Sequence, residues 1–167
     1  MDNNKQCKLI STHYIYKGKV NLRLDALEVN NHQFSHIALE YPESVAIVPA
    51  NNAKNLILIK QYRYLADSVL WEIPAGQIKK GESRKQAARR ELLEETGLIA
   101  KKLVYLTQYY TNIGTSNLKV NMFLALDLEQ KQQSLEPTED IYVKIVTLQK
   151  AKKMILKGGI SGIVTRN

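Results

Sequence analysis

The chain has 167 residues, 44% of them hydrophobic and 24% charged. Those proportions belong to an ordinary globular chain with room for a sizeable core, and they exclude a disordered or fibrous one. The net charge of +8, from 24 Lys and Arg against 16 Asp and Glu, fits an anionic partner such as phosphate, a nucleotide or nucleic acid, or serves solubility alone.

No internal repeat and no Pro/Gly/Ser-rich linker divides the chain. A single domain is therefore expected, with N-terminal strands over 1–40 and a core over 41–167. Lys8 to Tyr16 is rich in β-branched and aromatic residues, and Lys17-Gly18-Lys19 is a turn candidate. From Val20 to Val29, apolar Val20, Leu22 and Leu24 alternate with Asn21, Arg23 and Asp25, as in a one-sided sheet. Asn30-Asn31 predicts a turn and His32 to Glu40 a third strand, giving a small antiparallel sheet. The apolar runs 44–49 and 55–62 read as strands buried on both faces.

A polar loop follows Gly76, and a helix is expected from about Ser83 to Thr96. Ser83 with Gln86 is a capping-box pair, and Gly97 suits the left-handed position after a helix. Strands are expected at about 101–109, 117–127 and 141–147, with a Gln/Glu/Pro-rich loop over 129–140 and a short basic helix over 148–157. Strands and helices mix without strict alternation, which predicts an α+β fold with a mixed sheet and helices on its faces.

The lone cysteine, Cys7, leaves no internal disulfide and no thiolate-built zinc site. No apolar run reaches the ~20 residues of a membrane helix, and residues 1–6 carry no apolar signal core. A cytoplasmic protein without a membrane partner is the expectation.

The helix over 83–96 carries the chemistry. Glu91, Glu94 and Glu95 stand at i, i+3 and i+4 and share one side. Three crowded carboxylates near the negative end of a helix repel one another. A divalent cation relieves that repulsion, and hard oxygen ligands suit Mg²⁺ or Mn²⁺. Alternatively, Arg89 and Arg90 neutralise a solvated face.

Reading on from Gly76, the chain runs Glu82, Arg90-Glu91-Leu92, Glu94-Glu95 and Gly97-Leu98. The pattern G-x5-E-x7-R-E-U-x-E-E-x-G-U, with U aliphatic, is matched at all nine specified positions. Its chance frequency at a given start is below roughly 10⁻⁸. In this the chain resembles the Nudix hydrolase family. The resemblance implies an α/β/α sandwich with a mixed sheet, preceded here by the small N-terminal sheet, and cleavage of nucleoside diphosphates linked to another group. It implies that Glu91, Glu94, Glu95 and the carbonyl of Ala75 hold metal and that Arg90 orients the carboxylates. Glu82 is either a support for them or an occasional ligand. Gly76 brings backbone close to the site.

Gln61-Tyr62-Arg63, Glu72-Ile73-Pro74-Ala75-Gly76 and Glu139-Asp140-Ile141 resemble the ADP-ribose pyrophosphatase branch of that family. The likeness implies that Arg63 grips phosphate oxygens and that Glu72 holds an adenine or ribose edge or caps a loop. It implies that Glu139 activates water or binds a further metal, with Glu136 and Asp140 as rivals. Trp71 either stacks on a base or sits in the core or a dimer interface. The branch often has Pro at the position of Ile113 and Glu at that of Leu118, and this chain departs from it there.

ADP-ribose, cleaved to AMP and ribose 5-phosphate, is the implied substrate. A GDP-sugar, a diadenosine polyphosphate or an oxidised nucleotide is the alternative, as is a non-catalytic nucleotide- or RNA-binding module. A homodimer is implied, and no nucleic-acid partner is expected.

Overall fold

The computed structural model describes residues 7–160, so the reading of residues 1–6 lies outside it. The chain divides into two compact units, one ending at Pro42 but also holding Tyr110–Lys119, the other formed by the rest.

The first unit is a three-stranded antiparallel sheet in the order β1 (Lys8–Tyr16), β2 (Asn21–Val29), β3 (His32–Glu40). Asn30 and Asn31 have φ of 51° and 62°, the left-handed pair that a two-residue hairpin turn needs and that Asn tolerates. The loop over 110–119 joins this sheet at β3. There Leu39 N–H donates to the Thr115 carbonyl at 2.8 Å, and Tyr41 N–H to Asn117 Oδ1 at 2.7 Å.

The covered side of β2 at its centre is the polar one. Asp25 is 5% exposed while Leu24 is 36% exposed. The polar side can be covered because its charges are paired. Asp25 accepts from the Thr12 hydroxyl at 2.8 Å and lies 3.2 Å from Arg23 Nε, and Arg23 also reaches Glu40 at 3.2 Å. Leu24, Ile37 and Tyr16 are left on the open side. Alternation separates two faces without saying which is buried.

The second unit holds two sheets. Strands β4 (Ser44–Pro49), β7 (Ala75–Gln77), β8 (Leu98–Tyr110) and β9 (Lys119–Gln130) form one, in the order β7-β4-β9-β8. Strand β4 runs parallel to β9 and antiparallel to β7, so this sheet is mixed. Strands β5 (Asn55–Arg63), β6 (Ser68–Glu72) and β10 (Tyr142–Thr147) form the other, antiparallel in the order β10-β5-β6.

Helix α1 (Arg84–Thr96) packs on β4 and β7, and α2 (Leu148–Leu156) on β10 and β5. Val45, Ile47, Phe123 and Ala125 of the mixed sheet meet Ala87, Ala88 and Leu92 of α1 in the core. The two alanines bring the helix backbone close to the sheet. That proximity lets residues of β7 touch carboxylates of α1.

Strands β6 and β7 escaped the sequence reading. They are five and three residues long, too short to show a period, and Pro74 stands between them. Strand β8 begins three residues earlier than expected, directly after Gly97. No helix among the described residues is long and apolar enough to cross a membrane.

Candidate active site

Helix α1 is pinned at both ends, which fixes where its carboxylates fall. The Ser83 hydroxyl accepts from Gln86 N–H at 3.3 Å, and the Gln86 side-chain oxygen accepts from Ser83 N–H at 2.9 Å. At the other end Gly97, with φ 67°, donates to the Leu93 carbonyl at 2.8 Å. Both predicted caps are present.

Within that helix Glu91 and Glu95 are buried and Glu94 half-buried. Arg90 organises the cluster. Its Nη1 reaches Glu91 at 2.6 Å and Glu94 at 2.9 Å, and its Nη2 donates to the Gln77 carbonyl at 2.9 Å. Glu82 receives both Nε and Nη2, each at 2.9 Å, and also accepts from Lys79 N–H at 3.0 Å. Glu82 thus braces the arginine that contacts Glu91 and Glu94. The Arg89 guanidinium is turned to the Ala100 carbonyl at 2.6 Å.

Strand β7 supplies the other wall. Ala75 N–H donates to Glu95 at 2.9 Å. A Cβ on Gly76 would stand 2.1 Å from the Glu91 carboxyl carbon, so only glycine leaves room for that carboxylate.

Burial pushes the Glu95 carboxyl up to about 8; nearby Glu91 and Glu139 add to the shift, while Ala75 N–H and Arg63 oppose it. Glu91 is raised as well, first by burial. The folded chain therefore keeps a proton on Glu95 where the unfolded chain, with its ordinary value of 4.5, has released it. Between those values the folded state binds more protons, so stability falls as pH rises. With divalent cations chelated, the melting temperature is expected to drop steadily from pH 5 to pH 8, and Glu95→Gln to flatten the slope. A flat wild-type profile in calorimetry would contradict the assigned burial.

Beside the helix, Arg63 and Glu72 close on each other as a bidentate pair, Nε–Oε1 at 2.8 Å and Nη2–Oε2 at 2.6 Å. Glu72 is 4% exposed while the arginine side chain is nearly half exposed, so one carboxylate aims a guanidinium outward. Arg63 feels the charges of Glu95 and Glu139, which places this pair within electrostatic reach of the helix.

Gln61, which the sequence resemblance includes without a role, lies on the same face of β5 as Arg63. It is 8% exposed, and its buried Nε2 has no hydrogen-bond partner among the described residues. The period of two in Gln61-Tyr62-Arg63 was the available signal. In the loop, Glu139 is half-buried and accepts from Glu136 N–H at 2.9 Å. Glu136 and Asp140 are exposed.

As they stand, no three His, Cys, Asp or Glu side chains among the described residues converge as a preformed metal cage. Arg90 draws Glu91 and Glu94 to itself, and Ala75 N–H holds Glu95. A family profile described as NUDIX domain matches residues 40–161.

The chain belongs to the Nudix family.

An ADP-ribose pyrophosphatase of Bacillus subtilis is 36% identical over 152 residues, spanning 89% of this chain and 82% of that protein. A methanol dehydrogenase activator of Bacillus methanolicus is 32% identical over 143 residues, spanning 84% and 77%. The crystal structure of an ADP compounds hydrolase matches with a TM-score of 0.81 at 24% identity, covering 93% of this chain and 86% of that one, and shows the shared fold. The capped helix α1, its carboxylates and Gly76 thus sit on a Nudix fold.

Proposed function

We propose that this Nudix enzyme hydrolyses the pyrophosphate bond of ADP-ribose, giving AMP and ribose 5-phosphate, with Mg²⁺ as its metal and Mn²⁺ as a substitute. One arrangement carries the reading: the buried carboxylates of α1 under Gly76, beside an outward-aimed Arg63 that Glu72 holds in place. The Bacillus subtilis ADP-ribose pyrophosphatase named above supports the substrate class.

The residues present suit a divalent cation. Glu91, Glu94, Glu95 and the Ala75 carbonyl are hard oxygen donors. Burying Glu95 beside Glu91 is costly for carboxylates alone, and a cation offsets that cost. When bound, the ion neutralises pyrophosphate oxygens and makes a bound water more acidic.

The rest is the work of side chains. Arg90, braced by Glu82, keeps Glu91 and Glu94 oriented. Arg63 grips a phosphate, and Gln61 Nε2, without a hydrogen-bond partner among the described residues, donates to a substrate oxygen or ring nitrogen. A carboxylate oxygen of Glu139 accepts a proton from the attacking water. The new P–O bond forms as the bridging P–O bond breaks, and the leaving phosphate departs as an anion.

Turnover is tested with ADP-ribose, ADP-glucose, GDP-mannose, NADH and diadenosine polyphosphates, each with Mg²⁺ or Mn²⁺. ADP-ribose is expected to give the highest kcat/KM. A higher value for another member of the panel would reassign the substrate. Arg63→Ala is expected to raise KM for ADP-ribose by roughly tenfold or more, with a smaller effect on kcat; an unchanged KM would remove Arg63 from substrate binding. Gly76→Ala is expected to displace the Glu91 carboxylate and cost about 100-fold in kcat, with a melting temperature within a few degrees of wild type. Wild-type turnover in that variant would show the close approach to be unimportant.

The same reading includes a cytoplasmic homodimer. The exposed Cys7 suits a reducing compartment. The open apolar side of the N-terminal sheet, with Leu24, Ile37 and Tyr16, is the surface that supports pairing. Sedimentation is expected to give twice the chain mass of 19.0 kDa; a single-chain mass would contradict it.

A further inference from the structure

Trp71 and Glu72 are neighbours on β6, so they face opposite sides of the sheet. Glu72 serves the Arg63 pair. Trp71 faces away from it and lines a cavity of about 280 Å³ with Val146 and Lys144 of β10 and Lys150 and Met154 of α2. Directly across from Trp71 on β5 stands Lys60.

The electrostatics of this cavity are one-sided. Lys60 Nζ lies 5.5 Å and Lys144 Nζ 5.7 Å from the Trp71 ring centroid. Two ammonium groups share one ring, and each weakens the other's hold on it by repulsion. Neither they nor Lys150 form an ion pair with a carboxylate among the described residues. Helix α2 starts here with no acidic residue in its first turn, so the positive end of its dipole adds to the field. Part of the +8 charge is thus gathered on the opposite side of the sheet from the Arg63–Glu72 pair.

We propose that this cavity is an accessory site for a mononucleotide. The base lies against the Trp71 ring and the apolar Val146 and Met154, and the phosphomonoester is held among Lys60, Lys144 and Lys150. The chemistry is that of a flat aromatic group joined to a dianion, which matches an indole ringed by ammoniums. The volume lies just below the ~300 Å³ where ordinary ligand pockets begin, which suits a ligand no larger than one nucleotide. The site stands or falls independently of the proposed hydrolysis.

Trp71 is the only tryptophan, so its fluorescence, excited beyond tyrosine absorption, reports on its surroundings, and a variant confined to the lysines of this cavity separates it from the Arg63–Glu72 side. The full chain is titrated in chelator with AMP, adenosine, inorganic phosphate and a short RNA. AMP is expected to quench saturably, with adenosine and phosphate at least about tenfold weaker, because each supplies half of the recognition. The variant Lys144→Ala/Lys150→Ala is expected to weaken AMP quenching by about tenfold or more while ADP-ribose turnover with Mg²⁺ is unchanged.

Absence of saturable quenching would overturn the site, as would quenching that survives in the double variant. Phosphate binding as tightly as AMP would remove the base from it. RNA binding more than about tenfold tighter than AMP would replace the mononucleotide by a strand.

Discussion

Glu95→Gln is expected to lower kcat for ADP-ribose by roughly 10³-fold or more, about 4 kcal/mol of transition-state stabilisation, while the chain folds normally. The side chain is 4% exposed and its Oε2 accepts from Ala75 N–H at 2.9 Å. Glutamine keeps an oxygen at that place and preserves the hydrogen bond. What it removes is the charge, which is disfavoured by burial and becomes useful only opposite a cation. The two readouts therefore part company: activity is lost, and the melting temperature without metal holds or rises at pH 8. Near wild-type turnover would remove Glu95 from the metal site. A large fall in melting temperature would show that its role is structural.

Arg90→Ala is expected to act on stability first. One guanidinium contacts Glu82, Glu91, Glu94 and the Gln77 carbonyl. Its removal strands three carboxylates, two of them on adjoining turns of one helix, and leaves a carbonyl unpaired. A loss of roughly 3 kcal/mol follows for breaking a partly buried network of this kind, or about 10 °C in melting temperature for a chain of this size. Adding Mg²⁺ is expected to recover part of that loss, because the cation replaces the missing positive charge beside Glu91 and Glu94. Arg90→Lys is expected to fall between the two, since an ammonium keeps the charge and loses the planar fork. Scanning calorimetry with and without Mg²⁺ checks all three. A shift under about 2 °C for the alanine variant would mean that water screens the carboxylates well enough alone.

Much of this arrangement is written locally in the chain. The caps at Ser83 and Gly97 are chemical statements about single residues, and both appear where expected. The run of carboxylates then follows from helical periodicity alone. The family pattern extends this to Gly76 and Glu82, whose contacts with Glu91 and Arg90 are long-range facts that spacing cannot supply.

Where the sequence misleads, the cause is tertiary. Asp25 is covered because Thr12 and Arg23 pair with it, and nothing within β2 announces that. The mutual grip of Arg63 and Glu72 depends on a short hairpin between β5 and β6, and β6 is too brief to show a pattern. Gln61 Nε2 is buried with no hydrogen-bond partner among the described residues, and that is a property of its surroundings.

Turnover of ADP-ribose is expected to rest on the carboxylates of α1. Its most direct test is wild type beside Glu95→Gln, each incubated with ADP-ribose and Mg²⁺, with AMP and ribose 5-phosphate resolved by chromatography. Equal amounts of the two products from wild type and almost none from the variant are predicted. No AMP from wild type, or the same AMP from both proteins, would contradict it.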